Sequence, residues 1–88
     1  MPAGETETII VAMSERHAPD RLVQRLLAEG HCVVGPATTA AMALALAAQT
    51  PATLAVVHLE LDGRRDGRRL AASLTDTWGV PSVLIAEP

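Results

Sequence analysis

The chain has 88 residues, 49% of them apolar, with a formal net charge of −3. That length and apolar content fit one packed domain and exclude a disordered chain. The acidic balance excludes the basic footprint of a nucleic-acid-binding domain, and no apolar run approaches the ~20 residues of a spanning helix.

Residues 1–8 are polar and acidic, and are expected to form a flexible lead-in to a single domain over 9–88. Ile9-Ile10-Val11-Ala12-Met13 is a short apolar run rich in β-branched residues, which predicts a strand buried on both faces. Pro19 and Asp20 open a helical pattern, since proline is tolerated in a first turn and a carboxylate there complements the helix dipole. Leu22, Val23, Leu26 and Leu27 recur at helical spacing, and Gly30 is placed to cap the end.

Cys32-Val33-Val34 predicts a second, shorter strand closed by Gly35-Pro36. Thr38 or Thr39 can cap a second helix that runs through Ala48 with Met42, Leu44, Leu46 and several alanines. Pro51 resets the chain, and Leu54 to Leu59 predicts a third strand. A polar loop over 60–67 follows. Leu70, Ala71, Leu74 and Trp78 then mark one face of a third helix, ended by Gly79, and Val80 to Ile85 predicts a fourth strand.

The order β-α-β-α-β-α-β with short connections implies parallel strands, right-handed crossovers and helices on both faces. The interior has no Phe or Tyr to draw on, and Trp78 is the single aromatic, so Ala, Leu and Val must fill it. Cys32 stands alone, which rules out an internal disulfide and fits a reducing compartment. With no basic-then-apolar signal pattern at the N-terminus, the expectation is a soluble cytoplasmic protein that engages neither nucleic acid nor membrane.

Taken together, several segments resemble the receiver domain of bacterial response regulators. They are Ile9 to Glu15, Leu26 to Ala37, Ala43 to Ala47, Leu54 to Leu61, Asp66-Gly67 and Trp78-Gly79-Val80-Pro81. The resemblance implies an α/β flavodoxin-like (CheY-like) parallel sheet in the order 2-1-3-4. It also implies that the usual fourth helix, fifth strand and fifth helix are lacking. Ligands in such sheets sit beyond the C-terminal strand ends near the reversal of strand order, here between the first and third strands.

By the same resemblance, a receiver carries an acidic pair after the first strand, a phosphate-accepting Asp after the third, a hydroxyl after the fourth and a Lys after the fifth. These positions fall here on Met13 and Ser14, on His58 and on Ala86, and the chain contains no Lys. Magnesium favours hard oxygen ligands, normally including carboxylates, which Met13 and Ser14 do not supply. An acyl phosphate needs a carboxylate nucleophile, and Ala86 has no hydroxyl to offer a phosphoryl oxygen. A one-residue shift would bring Glu15 or Glu60 toward the crevice. No catalytic residue, cofactor or metal is therefore expected.

The other chemistry-bearing residues read more plainly. His58 suits a pH switch, a metal ligand or a phosphohistidine, against the simpler reading of a partly buried ring filling a vacated pocket. His31 and Cys32 are neighbours in sequence and point to opposite sides of a strand, so Cys32 is expected in the core. Arg64, Arg65, Arg68 and Arg69, interrupted by Asp66, read as a solvated loop and helix start.

Without a fifth strand, the fourth becomes a sheet edge. Val80, Val83, Leu84, Ile85 and Trp78 are therefore candidate interface residues, and a homodimer through that edge and the uncovered helix flanks is expected. The implied function is a non-phosphorylatable regulatory module of two-component signalling whose partner is a sensor histidine kinase or a response regulator. The alternatives are a small-ligand-binding or metal-binding protein using the crevice at His58, or a fragment of a longer receiver.

Overall fold

The structure is a computed structural model, and it describes residues 6–62 and 67–86. Its elements are β1 (Thr8–Ala12), a 3-10 turn (Glu15–His17), α1 (Pro19–Ala28), β2 (Cys32–Ala37), α2 (Ala40–Gln49), β3 (Leu54–His58), α3 (Gly67–Trp78) and β4 (Ser82–Ile85). The four strands form one parallel sheet in the order β2-β1-β3-β4. This is the order that the resemblance implied.

Side chains alternate across a strand, so the pairing register sorts the sheet into two faces. Ile10 pairs with Val34 and Ala55, and Val57 pairs with Leu84, placing these residues toward α2 and α3. Ile9, Val11, Leu54, Val56 and Val83 point the other way, toward the side that α1 partly covers.

The main core lies on the α2–α3 side. Leu70 and Leu74 from α3 are buried there with Ala40 and Ala43 from α2, over Ala12, Ala37, Ala55 and Val57. Alanine on both surfaces lets α2 approach the strands closely, which is how a sequence without Phe or Tyr closes its interior. Full burial of a leucine such as Leu74 contributes about 1.5–3 kcal/mol.

Helix ends follow the local chemistry. Thr39, not Thr38, caps α2, and its hydroxyl oxygen accepts the Met42 N–H at 3.1 Å. Gly30 ends α1 at φ +92°, a conformation that favours glycine. Pro19 opens α1 from the residue Ala18, which sits in the left-handed region at φ 51° and ψ 62°. An L-residue held there costs roughly 1–2 kcal/mol.

Four details differ from the sequence reading. β1 starts at Thr8, and Glu7 is tied to the second strand, its carbonyl accepting the Cys32 N–H at 2.8 Å. β2 does not stop at Gly35-Pro36. The strand bulges there, with Val34 and Ala37 facing Ile10 and Ala12, and then pairs again. Gly35 has φ +110°, and a Cβ on it would lie 2.9 Å from the Val11 carbonyl oxygen, so the bulge requires glycine.

Cys32 is exposed, not in the core, because it is the first residue of the outermost strand. Val80 is buried and precedes β4, held by its N–H to the Leu74 carbonyl at 2.9 Å and by the Thr75 hydroxyl on its own carbonyl at 3.2 Å.

Candidate functional site

The C-terminal ends of β1 and β3 meet the turn that enters α1 and the loop that leaves β3. Met13 and Ser14 follow β1 and are buried, and His58 ends β3 at 1% exposure. Three of the four positions named for the emptied pocket therefore lie in the interior. The fourth, Ala86, is exposed just past β4.

His58 is fixed from two directions. Its Nδ1 accepts the Glu60 backbone N–H at 3.0 Å, which leaves Nε2 as the protonated nitrogen of the neutral ring. The imidazole of His17 lies flat against it, with ring centroids 3.8 Å apart and planes 16° from parallel. His17 Nε2 in turn meets the Glu60 carboxylate at 3.1 Å, and Arg16 approaches the same carboxylate at 3.9 Å. The crevice expected beside His58 is thus closed by His17.

The second part of the site is built on Asp62. The Ser14 hydroxyl donates to Asp62 Oδ1 at 3.0 Å while accepting the Arg16 N–H at 3.3 Å. The Asp62 N–H bonds the Thr38 carbonyl at 2.8 Å, and Thr39 and Asp62 form an isolated parallel bridge. One residue therefore joins the end of β1 to the start of α2. Ser14, where the resemblance implies a metal-binding carboxylate, caps the 3-10 turn instead.

Gly67 closes the site from below. Its N–H bonds the Leu59 carbonyl at 2.9 Å, and a Cβ there would collide with the His58 carbonyl. α3 can begin this close to the end of β3 because position 67 has no side chain.

The described carboxylates near the strand ends are spread apart and do not form a cation cradle. Glu15 is exposed on the 3-10 turn, Glu60 faces His17 and Arg16, and Asp62 holds Ser14. Among the described residues, no three His, Cys, Asp or Glu side chains gather in a metal-binding arrangement. Arg64, Arg65 and Asp66 lie outside the described residues, and Arg68 and Arg69 are exposed at the start of α3.

Of the interface candidates, Trp78 is 43% exposed, Val83 48% and Leu84 42%, and Ile85 is half-buried. Val80 drops out because it is buried. No helix among the described residues is long and apolar enough to cross a membrane.

His17 and Asp62 are the site residues that the sequence did not single out for this role. His17 sits in a 3-10 turn with no apolar period. Asp62 lies in a polar loop, among charges that look like ordinary solvated surface. The adjacent Pro19, which starts α1 and so fixes where a preceding turn must sit, was the available signal for His17.

The fold is that of a signal receiver domain. The receiver domain of a modulated diguanylate cyclase from Desulfovibrio desulfuricans G20, described as an example of alternate folding, superposes with a TM-score of 0.86 at 24% identity. The match covers 96% of this chain and 67% of that one. A fusion protein carrying amino acids 181–211 of the yeast Spc42 trimeric coiled coil superposes with a TM-score of 0.81 at 18% identity. That match covers 93% of this chain and 54% of that one, so this chain spans between about half and two thirds of these two structures. No protein-family model and no curated protein matches the sequence.

Proposed function

We propose that the protein is a receiver-like regulatory module that takes up no phosphate by the usual aspartyl route and acts by binding other proteins. The observation that carries this reading is His58. At the position to which the resemblance assigns the phosphoacceptor carboxylate, this chain has an imidazole buried beneath a second imidazole. The nitrogen facing the β3 loop is already engaged by Glu60, and the ring as a whole is out of reach of a phosphodonor. Met13 and Ser14 supply no carboxylate for magnesium, and the nearby Asp62 and Glu60 are committed to Ser14 and His17.

The module would work in the cytoplasm, within bacterial two-component signalling, on a sensor histidine kinase or a response regulator, and without catalysis of its own. Incubation with acetyl phosphate and magnesium tests the first half of this. Intact-mass measurement should find the unmodified chain, and stoichiometric gain of phosphate overturns the reading.

Self-association is the second element of the proposal. β4 ends the sheet among the described strands, carries no charge, and exposes Val83 and Leu84. An uncharged edge of this kind pairs readily with another strand. A homodimer joined through β4 is expected at micromolar concentration, and sedimentation showing a monomer throughout the range argues against it.

A further inference from the structure

α1 is the sole described helix on its side of the sheet, and it does not reach across it. β1 beneath it is sealed, with Ile9 at 2% and Val11 at 0% exposure, whereas Val83 on the same face of β4 is 48% exposed. Between α1 and β4 runs an open groove of about 340 Å³. Met13, Ala18, Leu22 and Ile85 form its floor and walls, and His17 closes the end nearest the strand tips.

The rim is charged on one side only. Arg21 and Arg25 stand one turn apart on α1, both exposed, and β4 contributes no charged residue. Arg25 reaches Glu29 at 3.9 Å, between side chains that are largely solvent-exposed, a contact worth little. No ion pair engages Arg21 among the described residues. A chain with net charge −3 thus presents a positive rim over an apolar floor.

We infer that this groove receives an amphipathic helix of a partner protein, with its apolar stripe on Ala18, Leu22 and Ile85 and its carboxylates against Arg21 and Arg25. The inference rests on the proposed role as a binding module and names its surface. A helix is favoured over a strand because the groove lies on a sheet face, which presents side chains and not ladder-forming backbone groups, so the occupant must satisfy its own backbone hydrogen bonds. A strand added to the β4 edge would extend the sheet and leave this face bare. α1 has 10 residues, about 15 Å of helix, so a partner helix of three to four turns matches the groove.

The test uses two synthetic helical peptides with the same leucine stripe, one flanked by Glu and the other by Lys. Each is titrated into the full isotopically labelled chain and followed by NMR. The Glu peptide is expected to shift the resonances of Ala18, Leu22 and Ile85, and to bind about tenfold or more tightly than the Lys peptide at low salt. Reversing the rim with R21E and R25E together, both at exposed positions, should reverse that preference.

Equal binding of the two peptides overturns the inference. So do shifts confined to the β4 edge or to the α2–α3 side, an unaltered preference in the charge-reversed chain, or a groove already covered by a second copy. Phosphate uptake from acetyl phosphate would remove the proposed function without touching the peptide result. A lost peptide preference would remove this groove while leaving the chain unphosphorylated.

Discussion

His17 and His58 stack with their ring centroids 3.8 Å apart, one from the turn before α1 and the other from the end of β3. Neither ring alone would settle the pocket. Together they convert a potential ligand site into a piece of core, with Glu60 gripping each ring, one by its backbone N–H and the other by its carboxylate.

His58→Ala should therefore behave as a core truncation, with a loss of about 2–4 kcal/mol in chemical denaturation. His17→Ala removes the stack from the outside and should cost about 0.5–1.5 kcal/mol. Introducing a carboxylate with His58→Asp should not confer phosphate uptake, because Met13 and Ser14 offer magnesium no acidic ligand. Intact mass after acetyl phosphate treatment checks this, and a phosphorylated His58→Asp chain would show that the cation site is intact after all.

Ala18 holds a left-handed conformation directly between His17 and Pro19. Glycine adopts that conformation without a Cβ penalty but loses more entropy on folding. The balance predicts that Ala18→Gly raises stability by roughly 0.5–1 kcal/mol, an unusual direction for this substitution. Thermal or urea unfolding reads it, and a destabilised variant would mean that the Ala18 methyl, which lines the α1–β4 groove, matters more than its backbone.

Gly67 gives the opposite result. A methyl at that position collides with the His58 carbonyl and crowds Leu59. Backbone at the end of a buried strand does not yield cheaply, so Gly67→Ala should cost about 1–3 kcal/mol, the range of overpacking. Gly79→Ala is the control. It has open space around it and suffers only the strain of φ +66°, so its loss should stay near 1 kcal/mol.

These sites show where the sequence was legible. β-branched runs located β1, β3 and β4, and the spacing of Leu70, Ala71 and Leu74 located α3, because burial leaves a periodic record. Gly35-Pro36 was misleading: a pair that ordinarily ends a strand here lies within one, as a bulge that lets β2 pair again at Ala37. Cys32 was misplaced because residue type speaks of average burial and not of position at a sheet edge. The residue types at Met13, Ser14 and His58 could be read directly, and the structure places all three in the interior at the ends of β1 and β3. The stack with His17 could not, since it depends on a contact between distant segments that carries no local pattern.

The β4 edge gives a further expectation. Val83→Lys with Leu84→Lys places two ammonium groups beside the free backbone of a strand that now has none. Sedimentation should then show a monomer at the concentrations where the proposed dimer of the parent chain is expected, with unchanged unfolding stability because both side chains are about half in solvent. A variant that still dimerises moves the contact to another surface.

The bulge in β2 bears on how far such pairing can spread. Gly35 breaks the regular repeat of the outer strand, and Pro36 has no N–H to lend to a newcomer. If β4 pairs as proposed, the described sheet has one adhesive margin and one spoiled margin. Two molecules meeting through β4 would then expose only spoiled margins at both ends of the joined sheet, so growth would halt at a pair instead of running on into a fibre.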